Sequence, residues 1–237
     1  MSGYVDVVIP HYGSDDDLNA CLESFTKDDN VNNIFIVDNN KDNVGFSKGV
    51  NEGFAKSQAT DADYVAVVNN DTVAIKDAFG PLVKTLKEDP YSAIVGPKIV
   101  HHENQDHIIH AGGMMCFPNG MHKSGLVSLG AWEKPSKEKW LSFVVVLINK
   151  AHLNRIGWLD EKMFLIFSDS DWCYRARYAG FHCHYCPDSV WTHKVGESGK
   201  PTSEWSVQRQ KEDGFHFYKK WIAQGRAFQE LDLELVG

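Results

Sequence analysis

The sequence predicts an α/β domain with a mostly parallel central sheet flanked by helices. Val65 to Val68 form a short unbroken apolar run, which suits a strand buried on both faces. Strand and helix signals alternate with short connections through the first hundred residues, and 237 residues suffice for one such domain with a large core.

Taken in order, Val5 to Pro10 read as the first strand, and Ser14 or Asp15 then caps a helix carrying Leu18, Cys21, Leu22 and Phe25 at helical spacing. Ile34 to Val37 are the second strand, ending in Asp38-Asn39-Asn40. Phe46 to Ser57 read as a helix despite Gly49 and Gly53. Two helix-weakening glycines four apart on one face imply that another part of the molecule, or a ligand, approaches that face closely. The Tyr64 strand follows, then a helix from about Lys76 to Glu88, stopped near Asp89-Pro90. This is the pattern of a Rossmann-like, mononucleotide-binding βαβαβ half, although neither GxGxxG nor GxxxxGK[ST] is present.

In such sheets ligands lie beyond the carboxyl ends of the strands, which here carry Pro10-His11-Tyr12, Asp38-Asn39 and Asn69-Asn70-Asp71. Asp71 is the first residue to consider for a metal or phosphate contact; its alternative is a simple turn. The second half is less regular. Ile94 to Gly96, Ile108 to Phe117 and Phe143 to Ile148 read as strands, and Asn119 to Lys139 as a loop. His182 to Cys186 (HCHYC) are expected to form a strand rather than a zinc site, with Cys183 and Cys186 on opposite faces. His101, His102, His107 and His110 are expected on the surface or acceptor side, and Trp132, Trp140, Trp158 and Trp172 are either core residues or sugar-stacking faces. Trp205 to Ala223 read as a helix that packs on the domain or on a second subunit, so a homodimer through it is an open expectation.

A net charge of −8 without a basic face argues against stable nucleic-acid binding. Five scattered cysteines fit a reducing compartment better than a disulfide framework, and no apolar run approaches the roughly 18 residues of a membrane span. A cytoplasmic location is expected, with work beside a membrane still compatible. A nucleotidyltransferase should carry a glycine-rich basic loop after strand one, which His11-Tyr12-Gly13-Ser14-Asp15 is not.

The order IPHY, IVDNN, NVGFSKGVNEGFA and VVNNDT resembles the nucleotide-sugar half of inverting family-two glycosyltransferases of the GT-A fold, especially their rhamnosyltransferase-like branch. LNRIGWLDEKMFLIFSDSDWCYRARYAGF is similar to that branch's "G-x-x-D-E-x-F-F" segment leading into an "E-D-x-D-x-x-x-R" helix, and CPDSVWTHKVGESG to its "P-x-x-x-x-x-H-x-x-G-x-S". The likeness runs over about residues 4 to 198. It implies a domain over residues 1–200, with a nucleotide-binding half (1–100), an acceptor half (101–200) and a helical extension (201–237).

The resemblance implies sugar transfer from a UDP, dTDP or GDP donor to a hydroxyl of a glycan or other acceptor. Asp71 takes the last place of the Asp-x-Asp metal motif, here Asn69-Asn70-Asp71, and His193 matches a histidine that completes the metal sphere in some relatives. An imidazole ligand favours Mn²⁺ over Mg²⁺. Asp38 matches the residue that bonds the nucleobase, and Pro10, Tyr12, Asn43 and Lys48 lie in segments lining the nucleotide site. Asp169 matches the general base, with helix capping as its structural alternative. Asp171, Trp172 and Arg175 are expected to support the site or meet the acceptor, Arg175 pairing with Asp171 four residues away. Lys194 or Lys200 is expected to reach the diphosphate from a loop over the site. Ser168 stands where the branch carries Glu, and Ser142-Phe143-Val144 is bulkier than the branch's small residues. Together with Asn69, Ser168 leaves open a non-catalytic nucleotide-sugar- or carbohydrate-binding protein on the same fold.

Overall fold

A computed structural model of the chain describes residues 3–115, 120–194 and 204–223. The first half runs β1 (Val5–His11), α1 (Asp15–Phe25), β2 (Val31–Asp38), α2 (Phe46–Ser57), β3 (Tyr64–Val68), β4 (Thr72–Lys76), α3 (Gly80–Glu88) and β5 (Ser92–His101). Short strands follow: β6 (His107–His110), β7 (Gly113–Met115), β8 (Gly120–His122), β9 (Gly125–Leu126) and β10 (Ser136–Glu138). The chain continues through β11 (Val145–Asn149), α4 (Lys150–Ile156), α5 (Ser168–Tyr178), β12 (His182–His193) and α6 (Glu204–Trp221).

The main sheet has the order β10-β12-β5-β11-β3-β1-β2. β1 pairs in parallel with β2 and β3, and β5 in parallel with β12, while β11 runs antiparallel between β3 and β5. Every residue of β3 is inaccessible to solvent. Val65 and Val67 enter one core cluster with Phe54, Trp172 and Phe217, while Tyr64, Ala66 and Val68 enter another with Phe25, Phe79 and Trp191. The alternation of side chains across the pleat explains this split, and the strand is buried on both faces as its composition implies. Cys183 and Cys186 divide between the same two clusters, as strand geometry requires.

α2 has the limits expected. A Cβ on Gly53 would stand 2.1 Å from Val8 Cγ1 of β1, and one on Gly49 would stand 2.9 Å from Asn39 Nδ2. The two glycines let the helix lie against the strand and let Asn39 tuck beneath it. The third helix differs from expectation: residues 72–76 form a strand and the helix starts at Gly80, with Pro81 in its first turn. Thr72 and Val73 pair with His193 and Thr192 of β12, a partner more than a hundred residues away that local periodicity does not reveal. β5 also extends well past Ile94 to Gly96 on both sides, because it pairs with β12 along its length.

α6 packs on its own chain. Phe217 and Trp221 are buried, with the Phe217 ring stacked on Phe167 (centroids 5.1 Å apart) and Trp221 on Tyr174 (5.0 Å). Of the two expectations for this helix, packing on the domain is the one observed. No described helix is long and apolar enough to cross a membrane.

Candidate functional site

A cleft of about 420 Å³ opens at the carboxyl ends of β1, β2 and β3. Strand β1 contributes Pro10, and Tyr12 follows it with 59% of its surface exposed. Asn39 follows β2 and is buried, with a side-chain carbonyl that has no hydrogen-bond partner. Asn43 lies before α2, and Asn69, Asn70 and Asp71 end β3. Two expected residues lie outside this lining. Asp38 is exposed and its Oδ1 accepts from Asn40 N–H (2.8 Å), while Lys48 is exposed on α2.

The antiparallel pairing of Thr72 with His193 carries Asp71 to the end of β12. There the Lys194 N–H donates to the Asp71 carbonyl (3.2 Å), and His193 Nε2 stands 3.3 Å from Asp71 Oδ2. That nitrogen is buried and makes no hydrogen bond. A buried polar atom without a partner is costly. Beside a mostly buried carboxylate, an imidazole nitrogen in this state suits a cation taking one ligand from each. The Lys194 ammonium pairs with the Asp17 carboxylate of α1, which lines the cleft. Lys200 lies outside the described residues.

The opposite wall comes from residues 164–165 and α6. Asp213, 1% exposed, accepts from the N–H groups of Phe164 (2.8 Å), Leu165 (2.7 Å) and Ile166 (2.9 Å). One carboxylate thus satisfies three consecutive donors and fixes the segment that carries Phe164 and Leu165 to the cleft. Asn51 of α2 clasps the same connection by exchanging bonds of 3.0 Å with the Leu159 carbonyl and N–H. Trp205 lines the cleft edge-on to Phe164 (5.5 Å), with the Arg209 guanidinium over both rings. Sequence pattern gives Phe164, Leu165, Trp205 and Asp213 no role, and marks Asn39 only as a residue at a strand end. An Asp in the middle of a polar helix carries no local signal of the loop it binds.

Asp169 stands in the first turn of α5, just after Phe167, a non-glycine residue in the left-handed region (φ 69°). Its Oδ1 accepts from the Ser170 N–H at 2.7 Å. Loss of solvation raises its pKa to about 6, opposed by that N–H and by the nearby Trp140 indole, which makes no well-formed hydrogen bond. Asp169 does not line the cleft, but a run of side chains joins it to Asp71. Trp140 meets His122 edge-on (4.7 Å), and His122, whose pKa is lowered chiefly by burial and then by its neighbour His193, continues the run towards β12.

His110 is buried rather than on the surface: its Nδ1 lies 2.9 Å from His122 Nδ1, and its Nε2 accepts the Ser142 N–H (3.2 Å). With Nε2 accepting, the His110 proton sits on Nδ1 and is donated to His122. Burial pushes the His110 pKa well below the usual histidine range. Phe143, the bulky residue beside it, turns into the core against Trp172 (6.0 Å).

Asp171, Trp172 and Arg175 form a buried brace. Asp171, fully buried, accepts from Arg175 Nε (2.9 Å), Trp221 Nε1 (2.8 Å) and Lys220 Nζ (2.7 Å), and Arg175 donates to the Ile156 and Trp158 carbonyls. Trp172 is a core residue whose indole N–H donates to the Gly157 carbonyl (2.9 Å). Trp140 is also buried, whereas Trp132 and Trp158 are partly exposed.

Residues 2–215 match the model of the glycosyltransferase-like family 2. A curated relative, the dTDP-rhamnosyl transferase RfbF of Shigella flexneri, is 23% identical over 157 residues, covering 65% of this chain and 50% of the relative. The chain therefore spans about half the length of that protein. Among solved structures, GalNAc-T7 with UDP, GalNAc and Mn²⁺ is similar at TM-score 0.61 and 14% identity, over 97% of this chain and 53% of that one. A197 from STIV is similar at TM-score 0.51 and 14% identity, over 82% of this chain and 87% of that one. At such identities the solved structures speak for the fold, and they agree with the GT-A architecture expected from sequence. On a match that covers most of its length, the chain belongs to the glycosyltransferase-like family 2.

Proposed function

We propose that this chain transfers a sugar, with inversion, from a nucleoside diphosphate to an acceptor hydroxyl, using Asp169 as general base and Asp71 with His193 to hold a divalent cation. The observation that carries the reading is the buried, unbonded His193 Nε2 beside the Asp71 carboxylate, at the strand ends that line the cleft. A cation bound there supplies Lewis acidity and neutralises charge on the leaving diphosphate. One imidazole and one carboxylate favour Mn²⁺ over Mg²⁺. Tyr12 offers a stacking face to the base, and the unpartnered Asn39 carbonyl accepts a base N–H. Lys194 exchanges Asp17 for phosphate when donor binds.

The acceptor hydroxyl gives its proton to Asp169 as its oxygen bonds the anomeric carbon and the bond to the diphosphate breaks. A base with a pKa of about 6 is ionised at neutral pH and holds the proton better than an ordinary aspartate. The names of similar proteins support dTDP or UDP as the donor nucleotide. Release of UDP, dTDP and GDP from their sugar conjugates with Mn²⁺ or Mg²⁺ tests the proposal, with product configuration read by NMR. Turnover of one nucleotide class that is lost in Asp169→Asn and Asp71→Asn supports it. Nucleotide binding without turnover would favour the non-catalytic reading.

A further inference from the structure

We propose that Asp89, His182 and His184 form a second metal site, for Zn²⁺ or a similar first-row transition ion, at the end of β12 remote from the donor cleft. The site does not depend on the transfer reaction. β12 is a twelve-residue strand. At about 3.3 Å per residue, the nine steps from His184 to His193 separate the two ends by roughly 30 Å.

His182 and His184 are two apart on β12, so both side chains leave the same face. Asp89 follows the last residue of α3. Its Oδ2 lies 2.8 Å from His182 Nδ1 and 3.2 Å from His184 Nε2, and all three ligand atoms lie within 4.8 Å of one another. Donors bonded to one tetrahedral zinc stand about 3.3 Å apart, so little movement is needed. Among the described residues this is the one group of three or more such side chains close enough to share an ion.

The hydrogen bonding of His182 is what points to a cation. Lys137 Nζ lies 3.0 Å from its Nδ1 and 3.3 Å from Asp89 Oδ2. A lysine ammonium only donates, so an Nδ1 that accepts from Lys137 has no proton for Asp89 at 2.8 Å. An Nδ1 that donates to Asp89 presents a proton to the ammonium. The conflict disappears when the nitrogen and carboxylate lone pairs converge on a metal, with the half-exposed Lys137 displaced. Lys137 occupies the position of the ion as a weaker cation. Two imidazoles and one carboxylate select zinc or its neighbours over Ca²⁺ or Mg²⁺, and three protein ligands leave one position for water. The ion would tie the end of α3 to β12.

The test is titration of the full chain with Zn²⁺ by calorimetry and with Co²⁺ by visible absorption. Wild type is compared with the double variant His182→Gln/His184→Gln, with Lys137→Met and with His193→Ala. The proposal expects the double variant to lose one equivalent of Zn²⁺ and the matching Co²⁺ band, while His193→Ala retains both. Lys137→Met removes a competing cation and should tighten binding at least about tenfold. Equal stoichiometry in wild type and the double variant, or unchanged affinity in Lys137→Met, would overturn it. The Lys137 arm stands even if the double variant misfolds.

Discussion

On one side of the cleft, Pro10, Tyr12, Asn39 and Asn69 to Asp71 sit where the strands that carry them end. On the other, Phe164 and Leu165 are held by a carboxylate from a different helix, and Trp205 arrives from the start of that helix. The first wall follows from local pattern and strand order. The second depends on buried polar contacts between segments distant in sequence. Changes on the first side should therefore act through direct contact, and changes on the second through the support behind the contact.

The largest expected effect falls on Asp169, the proposed base. Asp169→Asn keeps the side chain's shape and one acceptor oxygen for the Ser170 N–H but removes proton acceptance, so transfer should fall by about 10² to 10⁴-fold with donor affinity little changed. Because desolvation raises the Asp169 pKa to about 6, ionising it costs folding stability. The favourable contribution of the protonated form is complete below about pH 4 and is lost as pH rises through 6. The same variant should therefore melt higher than wild type at pH 8 and match it near pH 4. Lower activity without that pH-dependent gain would separate loss of the base from relief of a buried charge.

Next comes the support. Asp213→Ala strands three backbone donors in a buried setting and should cost roughly 3 kcal/mol of stability. It should also loosen the Phe164 wall, raising the donor KM more than it lowers kcat. Gly53→Ala is the matching change on the other side. Its Cβ meets Val8 at 2.1 Å, so α2 must move, at about 1–3 kcal/mol. Denaturant melts of both variants, read beside donor KM, sharpen the comparison: comparable losses of stability should raise KM more for Asp213→Ala.

Much of the first wall was legible in the sequence. The β3 run, the limits of α2, the close approach at Gly49 and Gly53, and the strand-end polar residues all follow from periodicities of 2 and 3.6 and from glycine geometry. The placement of Asp71 beside His193 was implied by family likeness alone, since its physical cause is the pairing of β4 with β12. Strand β4 carries no local signal, and the helix expected from about Lys76 begins only at Gly80. The His110–His122 pair, the Asp213 clasp and Trp205 stayed hidden because each acts through a partner far along the chain, which no local pattern encodes.

A milder effect should appear in the pH profile. Below pH 6 the base carries its proton, so kcat/KM should rise with pH to a plateau, about tenfold per unit on the acidic limb. Replacing Trp140 with Phe removes the indole that opposes the rise, and the limb should move to higher pH. A limb that stays in place would assign it to a different group.

The smallest expected effect tests whether α6 belongs to the donor site. Trp205 is 49% exposed, meets Phe164 edge-on and lies under Arg209. An aromatic contact of this kind is worth about 0.5–1.5 kcal/mol beyond its buried area. Trp205→Ala should therefore raise donor KM severalfold and leave kcat unchanged, because the ring touches a wall of the cleft and stands apart from the Asp169 carboxylate. Trp205→Phe keeps a ring against Phe164 and should recover most of the loss. If both variants bind donor like wild type, the second wall ends at Leu165 and α6 serves the site only through Asp213.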